Sequence, residues 1–329
     1  MRAAVITRAG GPEVLAIQQR PRPIPRANEV LVRVRASALN RADLAQREGH
    51  YPAPPGSPPD IPGLEFAGEI EALGEDVRAW REGDRVFGIV GGGGNAEYLV
   101  ADAATLARVP DRLSWAEAAA VPEAFITAHD ALVTQAQVQR GESVLIHAVG
   151  SGVGLAGTQL ARAWSATPFG TARTAAKIEQ AREYGLEDGV TVAADPDEFV
   201  SHAERWTNAK GIDVTLDLVG GAYVPADVRA AALRGRIMII GTIAGATAMM
   251  PVGMILRKRL MVRGTALRSR TLEEKRGVTE AFARDVVPLL DTGLLRPTID
   301  QVFELEEIGA AHERLAGNAT FGKVVLRIG

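Results

Sequence analysis

Between the apolar run SVLI (143–146) and the amphipathic LAGTQLARAW stands HAVGSGVG, residues 147–154. Gly150, Gly152 and Gly154 alternate there with Ser151 and Val153. Glycine lets the backbone turn sharply and approach a ligand with no Cβ in the way, and a helix opening near Val153 aims its free N–H groups at the turn. That chemistry suits an anion, a dinucleotide pyrophosphate above all. A strict G-x-G-x-x-G does not fit, because Leu155 holds the third glycine's place. A tight strand-to-helix turn with no ligand is the competing explanation, and the βαβ setting favours the nucleotide.

The kind of nucleotide is read further on. An NAD site carries Asp or Glu about 20 residues past the first glycine, where it binds the ribose hydroxyls. The segment GTARTAAK (170–177) has no acid at that place. Arg173, Thr174 and Lys177 offer two cations and a hydroxyl suited to a 2′-phosphate, so NADPH is expected over NADH. Solvated charges at a helix start are the alternative.

Other chemistries find no support. The five histidines are scattered, His312-Glu313 lacks the second histidine of H-E-x-x-H, and Ser151 lies outside a G-x-S-x-G elbow. With no cysteine there is no disulfide and no thiolate metal site. A net charge of −3 gives no general attraction to nucleic acid or anionic lipid. The basic run LRKRLMVRG (256–264) lacks the interleaved aromatics of base stacking and reads as a solvated face. No apolar segment has signal-peptide or membrane-helix length, so a soluble, cytoplasmic protein is expected.

The elements that must position these residues follow from the rhythm of the chain. Up to about residue 120, short apolar runs broken by Gly and Pro (RAAVI, EVLVRVRASAL, EFAGEIEAL, DRVFGIV, AEYLV) predict a β-rich, partly barrelled domain. YPAPPGSPPDIPG, Tyr51 to Gly63, has six prolines and must be irregular. SWAEAAAVPEAFITAHDALV opens on a Ser114/Glu117 capping box and predicts a helix. Strands SVLIHA, TPFGTA, VTVAA, DVTLDLVG and RIMIIG then alternate with helices, which predicts a doubly wound parallel sheet of Rossmann type. The expected division is 1–122, a catalytic domain; 123–264, a nucleotide-binding domain; and 265–329, a tail returning to the first domain through the strand-like KVVLRI.

Four segments, NRADLAQREGHYPAPPG, GLEFAGEI, VPEAFITAHDAL and VLIHAVGSGVGLAGTQLAR, together resemble the zeta-crystallin-like quinone oxidoreductases of the medium-chain dehydrogenase/reductase superfamily. The likeness runs nearly end to end, from MRAAVI to GKVVL. It implies a GroES-like domain joined to a Rossmann domain, and a homodimer. Within the superfamily the glycine loop often reads A-x-x-G-x-x-G, and here Ala148, Ser151 and Gly154 stand at those places. The resemblance puts Asn40 and Tyr51 at a cleft between the domains, facing an electrophilic acceptor. It puts Thr127, Gly241 and the TALRS segment, including Thr265, Leu267 and Ser269, near the nicotinamide. Zinc-dependent members carry a cysteine near Asn40 and Gly-His-Glu where this chain has Gly63-Leu64-Glu65, so a zinc-free member is implied. Relatives often have a tyrosine near Val192 that helps hold the 2′-phosphate; its absence either weakens the preference for NADPH or leaves it to Arg173.

The resulting expectation is an NADPH-dependent quinone reductase. A reductase of α,β-unsaturated carbonyls and a non-catalytic NADPH-binding sensor or structural protein are the alternatives.

Overall fold

A ten-residue strand anchors the N-terminal part of the chain because it serves three partners. In the computed structural model, which describes residues 1–193 and 195–329, the chain begins with β1 (Arg2–Ile6), β2 (Leu15–Gln19) and that long strand, β3 (Glu29–Ala38). After α1 (Arg41–Arg47) come β4 (Glu65–Leu73), β5 (Arg85–Ile89), β6 (Tyr98–Asp102) and β7 (Leu106–Arg108). One edge of β3 pairs along its length with β4; the other takes β6 over Glu29–Arg33 and, further on, a C-terminal strand over Ala36–Ala38. Its apolar residues Val30, Val32 and Val34 pack with Phe66, Val86 and Leu99 in a buried core.

The helix expected from residue 114 is divided. Ser114 and Glu117 do form a capping box at α2 (Trp115–Ala119), but Pro122 opens a separate helix, α3 (Pro122–His129). Proline lacks the N–H that a continuing helix would need, yet fits a first turn. A π-helical turn, Asp130–Gln135, follows.

The next segment alternates as the sequence predicts: β8 (Ser143–Ile146), α4 (Gly152–Ala163), β9 (Thr167–Ala172), α5 (Ala175–Arg182), β10 (Asp188–Thr191), α6 (Glu198–Trp206), β11 (Ile212–Asp217), α7 (Tyr223–Ala230), β12 (Ala231–Ile239), α8 (Val252–Lys258) and β13 (Met261–Gly264). The six strands are parallel in the order β10-β9-β8-β11-β12-β13. The chain therefore winds outward one way from β8 and then the other way from β11, the doubly wound order of dinucleotide-binding sheets. β8 is buried on both faces, which explains why SVLI reads as a continuous apolar run.

Among the boundaries that differ from the sequence reading, those of β10 and β12 are set by strand pairing. β10 starts two residues before VTVAA and stops at Thr191, because β9 ends at Ala172, the partner of Thr191; the last residue of that expected strand, Ala194, lies outside the described residues. Ala231–Leu233, read as the end of a helix, belong to β12, since Ala231 pairs with Ile212 ahead of a register shift.

The tail forms α9 (Leu272–Asp285), α10 (Val287–Asp291), β14 (Ile299–Glu304), α11 (Ile308–Ala316) and β15 (Lys323–Arg327), and β15 pairs antiparallel with β3. The chain folds into two compact units, one of Met1–Ile126 with Leu267–Gly329 and one of Thr127–Ala266. No helix among the described residues is long and apolar enough to cross a membrane.

Candidate active site

In the unit 127–266, the loop after β8 is built by its neighbours. His147 is fully buried; its Nε2 lies 2.7 Å from Asp227 Oδ1 on α7 and its Nδ1 2.9 Å from Thr171 Oγ1 on β9. Phe199 and Tyr223 pack on the ring at 4.7 and 4.8 Å between centroids. Ala148 takes a left-handed φ of 49°, and the Val149 N–H donates to Thr171 O at 2.9 Å. These bonds deliver Gly150 and Ser151 to the start of α4. Ser151 is its N-cap: Oγ accepts the Gly154 N–H at 3.0 Å and keeps its own hydrogen to donate. Gly154 fits closely, since a Cβ there would lie 2.6 Å from Ala148 O and 2.8 Å from Val149 Cα. Gly152 and Val153 form the first turn of α4, where amides have no intrahelical acceptor.

Because Val149 is tied to Thr171, the glycine loop lies beside the end of β9. There Arg173 and Thr174 are exposed, Thr174 is the N-cap of α5 and half-buried Lys177 follows in its first turn. No acidic residue stands in 170–177. Gly241 follows β12 at the same sheet edge, where a Cβ would meet Leu218 O at 2.3 Å. The Thr265 N–H donates to Ile239 O at 3.0 Å and its Oγ1 to Asp130 Oδ2 at 3.3 Å. Thr127 is half-buried on α3. A turn with room for backbone only, a helix start and two cations at one sheet edge fit a phosphorylated dinucleotide.

The same unit contains a cluster that the scattered histidines did not announce. Potential ligand atoms of His147, Asp217 and Asp227 lie within 4.8 Å of one another. Asp217 accepts the N–H groups of Val219 and Gly220 at 2.7 and 2.8 Å and so shapes the turn after β11. Burial holds the His147 ring neutral, its pKa brought down to about 4 against the opposing charge of Asp217. Burial also pushes Asp217 up to about 6 and Asp227 well above the carboxylate range. The cluster is an internal hydrogen-bonded brace under the loop.

In the other unit, Asn40 is the N-cap of α1, and its backbone N–H donates to Asp43 at 2.7 Å. Its side chain is fixed from both ends: Nδ2 donates to Glu65 Oε1 at 2.9 Å, while Oδ1 accepts from Lys323 Nζ at 2.6 Å. Lys323 also donates to Leu39 O at 2.9 Å and pairs with Glu65 Oε1 at 2.6 Å. Both ions are buried, Glu65 wholly and Lys323 to 5 % exposure. Tyr51 lies just beyond α1 with its N–H on Ala45 O, and the Arg268 guanidinium sits 4.8 Å from the Tyr51 ring centre. Arg268 further holds Tyr51 O, Gly91 O and Gln46 Oε1. Its neighbours Leu267 and Ser269 are buried and exposed respectively. Within this unit the structure thus joins Asn40 to Glu65 and Lys323, and Tyr51 to Arg268. The sequence reading gave no role to Glu65, Lys323, Asp43 or Glu123, and took in Arg268 only as part of the TALRS segment. The available signal was a charge inside an apolar run, as in GLEFAG and GKVVL.

Two domain families match the chain: an alcohol dehydrogenase GroES-like domain over residues 26–111 and a zinc-binding dehydrogenase domain over residues 152–284. The quinone oxidoreductase of Lama guanicoe is 35% identical over 331 residues, covering 99% of this chain and 97% of the relative. The quinone oxidoreductase of Homo sapiens is 32% identical with the same coverage. The chain belongs to the quinone oxidoreductase family. As a family member it is a medium-chain dehydrogenase/reductase and an oxidoreductase. Its fold is similar to that of Escherichia coli quinone oxidoreductase complexed with NADPH, at a TM-score of 0.88 and 28% identity, covering 99% of this chain and 100% of that one.

The zinc in the name of one matched domain does not suit the residues of this chain. Zinc prefers thiolate, imidazole and carboxylate ligands. The chain has no cysteine, Leu64 is a buried hydrocarbon in the Gly63-Leu64-Glu65 segment, and Glu65 is already paired with the ammonium of Lys323.

Proposed function

We propose that this oxidoreductase uses NADPH to reduce small quinones without zinc. The observation that carries the reading is the edge of the parallel sheet in the unit 127–266. The glycine loop, capped by Ser151, stands beside Arg173, Thr174 and Lys177, with no acid in the place that would favour an unphosphorylated ribose. The fold's likeness to an NADPH complex supports it.

Gly150, Ser151, Gly152, Val153 and Gly154 hold the pyrophosphate, the Ser151 hydroxyl donating to a phosphate oxygen. Arg173 and Lys177 hold the 2′-phosphate with charge-assisted hydrogen bonds, and Thr174 adds a hydroxyl. Thr127, Gly241 and Thr265 are assigned to the nicotinamide end. When bound, the nicotinamide supplies the hydride. Asn40 and Tyr51 orient the acceptor. A quinone's conjugated carbonyls accept a hydride without a Lewis acid, so placement does most of the work.

The test is steady-state oxidation of NADPH and NADH with an ortho-quinone, a para-quinone and an enone, for wild type, Arg173→Ala and Lys177→Ala. Loss of one charge-assisted bond, about 1.5–3 kcal/mol, raises KM for NADPH roughly 10- to 100-fold and spares NADH. Equal effects on both nucleotides would remove the 2′-phosphate assignment. Turnover of the enone alone would remove the quinone.

A further inference from the structure

We propose that Arg268 is the positioning residue for the acceptor: it clasps the proline-rich loop 51–59 to its neighbours and fixes the Tyr51 ring, and so sets how tightly and how bulky an acceptor is taken. The proposal rests on the reading above in which Tyr51 orients the acceptor, and it adds what orients Tyr51.

The loop cannot hold itself. Five of the nine residues 51–59 are proline, which has no N–H to donate. Inside the loop the Ser57 N–H donates to Pro54 O at 3.1 Å, and at its start the Tyr51 N–H reaches Ala45 O at 3.2 Å. Further order comes from outside. Gln46 on α1 donates Nε2 to Pro59 O at 3.3 Å. The turn after β5 packs against the middle of the loop, where a Cβ on Gly91 would lie 2.7 Å from Pro54 Cγ and would also strike Ser57.

Arg268 joins these supports. Its Nη1 donates to Tyr51 O at 3.1 Å, its Nη2 to Gln46 Oε1 at 2.6 Å, and Nε and Nη2 both donate to Gly91 O, at 2.9 and 2.7 Å. The same guanidinium lies 4.8 Å from the centre of the Tyr51 ring. One planar cation thus holds the backbone and the ring of Tyr51, the Gln46 amide that ties down Pro59, and the turn that supports Pro54. A flat fork of five donors can do this; a lysine ammonium, a point charge with three, cannot reproduce it. The cation also prefers one orientation of the ring, with the face towards the charge.

Burial decides how Arg268 acts. Arg268 and Gln46 are each 6 % exposed, whereas Tyr51 is half-buried and its hydroxyl has no hydrogen-bond partner among the described residues. The phenol is therefore where this network can meet a ligand, and Arg268 works through it. A loosened clasp lets the ring turn and the loop swing outwards, so a small acceptor is held less well while a bulky one gains room. Every residue of the network belongs to the unit 1–126 with 267–329, and the glycine loop assigned to the pyrophosphate belongs to the other. Loss of Arg268 should therefore spare NADPH.

The experiment reads the ring and the reaction separately. With 13C-labelled tyrosine rings, NMR identifies Tyr51 among the four tyrosines by its loss in Tyr51→Phe, and its resonance should shift in Arg268→Lys and Arg268→Met. Both variants should lose about 10- to 100-fold in kcat/KM for a single-ring quinone, since small misplacements are costly. KM for NADPH should stay within about twofold of wild type. The ratio of kcat/KM for a three-ring ortho-quinone to that for the single-ring one should rise several-fold. In a Tyr51→Ala background Arg268→Met should add less than about twofold for the single-ring quinone, because the ring it positions is gone. Guanidinium chloride at low millimolar concentration, and not sodium chloride, should restore part of the loss in Arg268→Ala. Arg268→Lys keeps the buried charge and carries the comparison if Arg268→Met does not fold. An unshifted Tyr51 resonance, equal rises in KM for acceptor and NADPH, or a full effect in the Tyr51→Ala background overturns the proposal and leaves Arg268 a structural residue. If the resonance shifts and wild type turns over no acceptor, the quinone-reductase reading is what fails, and the role of Arg268 in the reaction fails with it.

Discussion

Replacing Lys323 by Met keeps the length of the side chain and deletes its ammonium. The structure sets the size of the effect. Lys323 Nζ lies 2.6 Å from Glu65 Oε1, 2.6 Å from Asn40 Oδ1 and 2.9 Å from Leu39 O. Glu65, fully buried, is left with the Asn40 amide and the Glu123 N–H as its remaining donors. Breaking a buried pair from one side costs about 3–5 kcal/mol, because the remaining charge stays desolvated. For a unit of this size that is a fall in Tm of roughly 6–20 °C. Removing both charges, as in Lys323→Met with Glu65→Gln, should recover much of the loss, giving a coupling of about 2 kcal/mol or more. Urea unfolding at pH 7 with a common m-value measures all four corners of the cycle. Kinetics on the same proteins should show KM for the acceptor rising with KM for NADPH unchanged, since Asn40 loses the partner that fixes its amide. A single-variant cost below about 1 kcal/mol, or strict additivity of the two substitutions, would refute the reasoning that the pair is a buried, mutually dependent unit.

Two further outcomes follow from the geometry. Gly154→Ala forces a Cβ to within 2.6 Å of Ala148 O and 2.8 Å of Val149 Cα, backbone atoms that cannot swing aside; NADPH affinity should fall at least about tenfold and stability by about 1–3 kcal/mol. Fluorescence titration and thermal melting check it, and wild-type values in both would contradict the close fit of α4 on its loop. His312 is buried with its Nδ1 3.3 Å from Arg47 Nη1, and burial together with that cation brings its pKa down to about 3. Below about pH 6.5 the unfolded chain gains a proton that the folded chain refuses, so this residue lowers stability on acidification by up to about 1.4 kcal/mol per pH unit. His312→Gln should flatten the urea midpoint between pH 6 and 4; a slope equal to that of wild type would exclude His312 as a source of acid sensitivity.

Much of the fold was legible because periodicity is local. SVLI, TPFGTA and RIMIIG announce strands by their apolar runs, and the helices between them announce a parallel sheet. Boundaries were less legible where a partner strand sets them: β10 stops where β9 stops, and Ala231–Leu233 join β12 through pairing with β11. The glycine loop was visible from composition and place, but the brace beneath it was not, since His147, Thr171 and Asp227 stand up to 80 residues apart.

What the sequence by itself determined is what neighbouring residues can express: two kinds of domain, a phosphate-sized turn, a missing acid after the second strand of the Rossmann sheet and a total absence of cysteine. Tertiary structure decided which charges meet. Lys323 reaches Asn40 across 283 residues because β15 pairs with β3, whose end leads directly into Asn40. Charges so far apart in the chain carry no mutual signal, and only the closing of the sheet removes them from water together, where pairing and proton affinity become large effects.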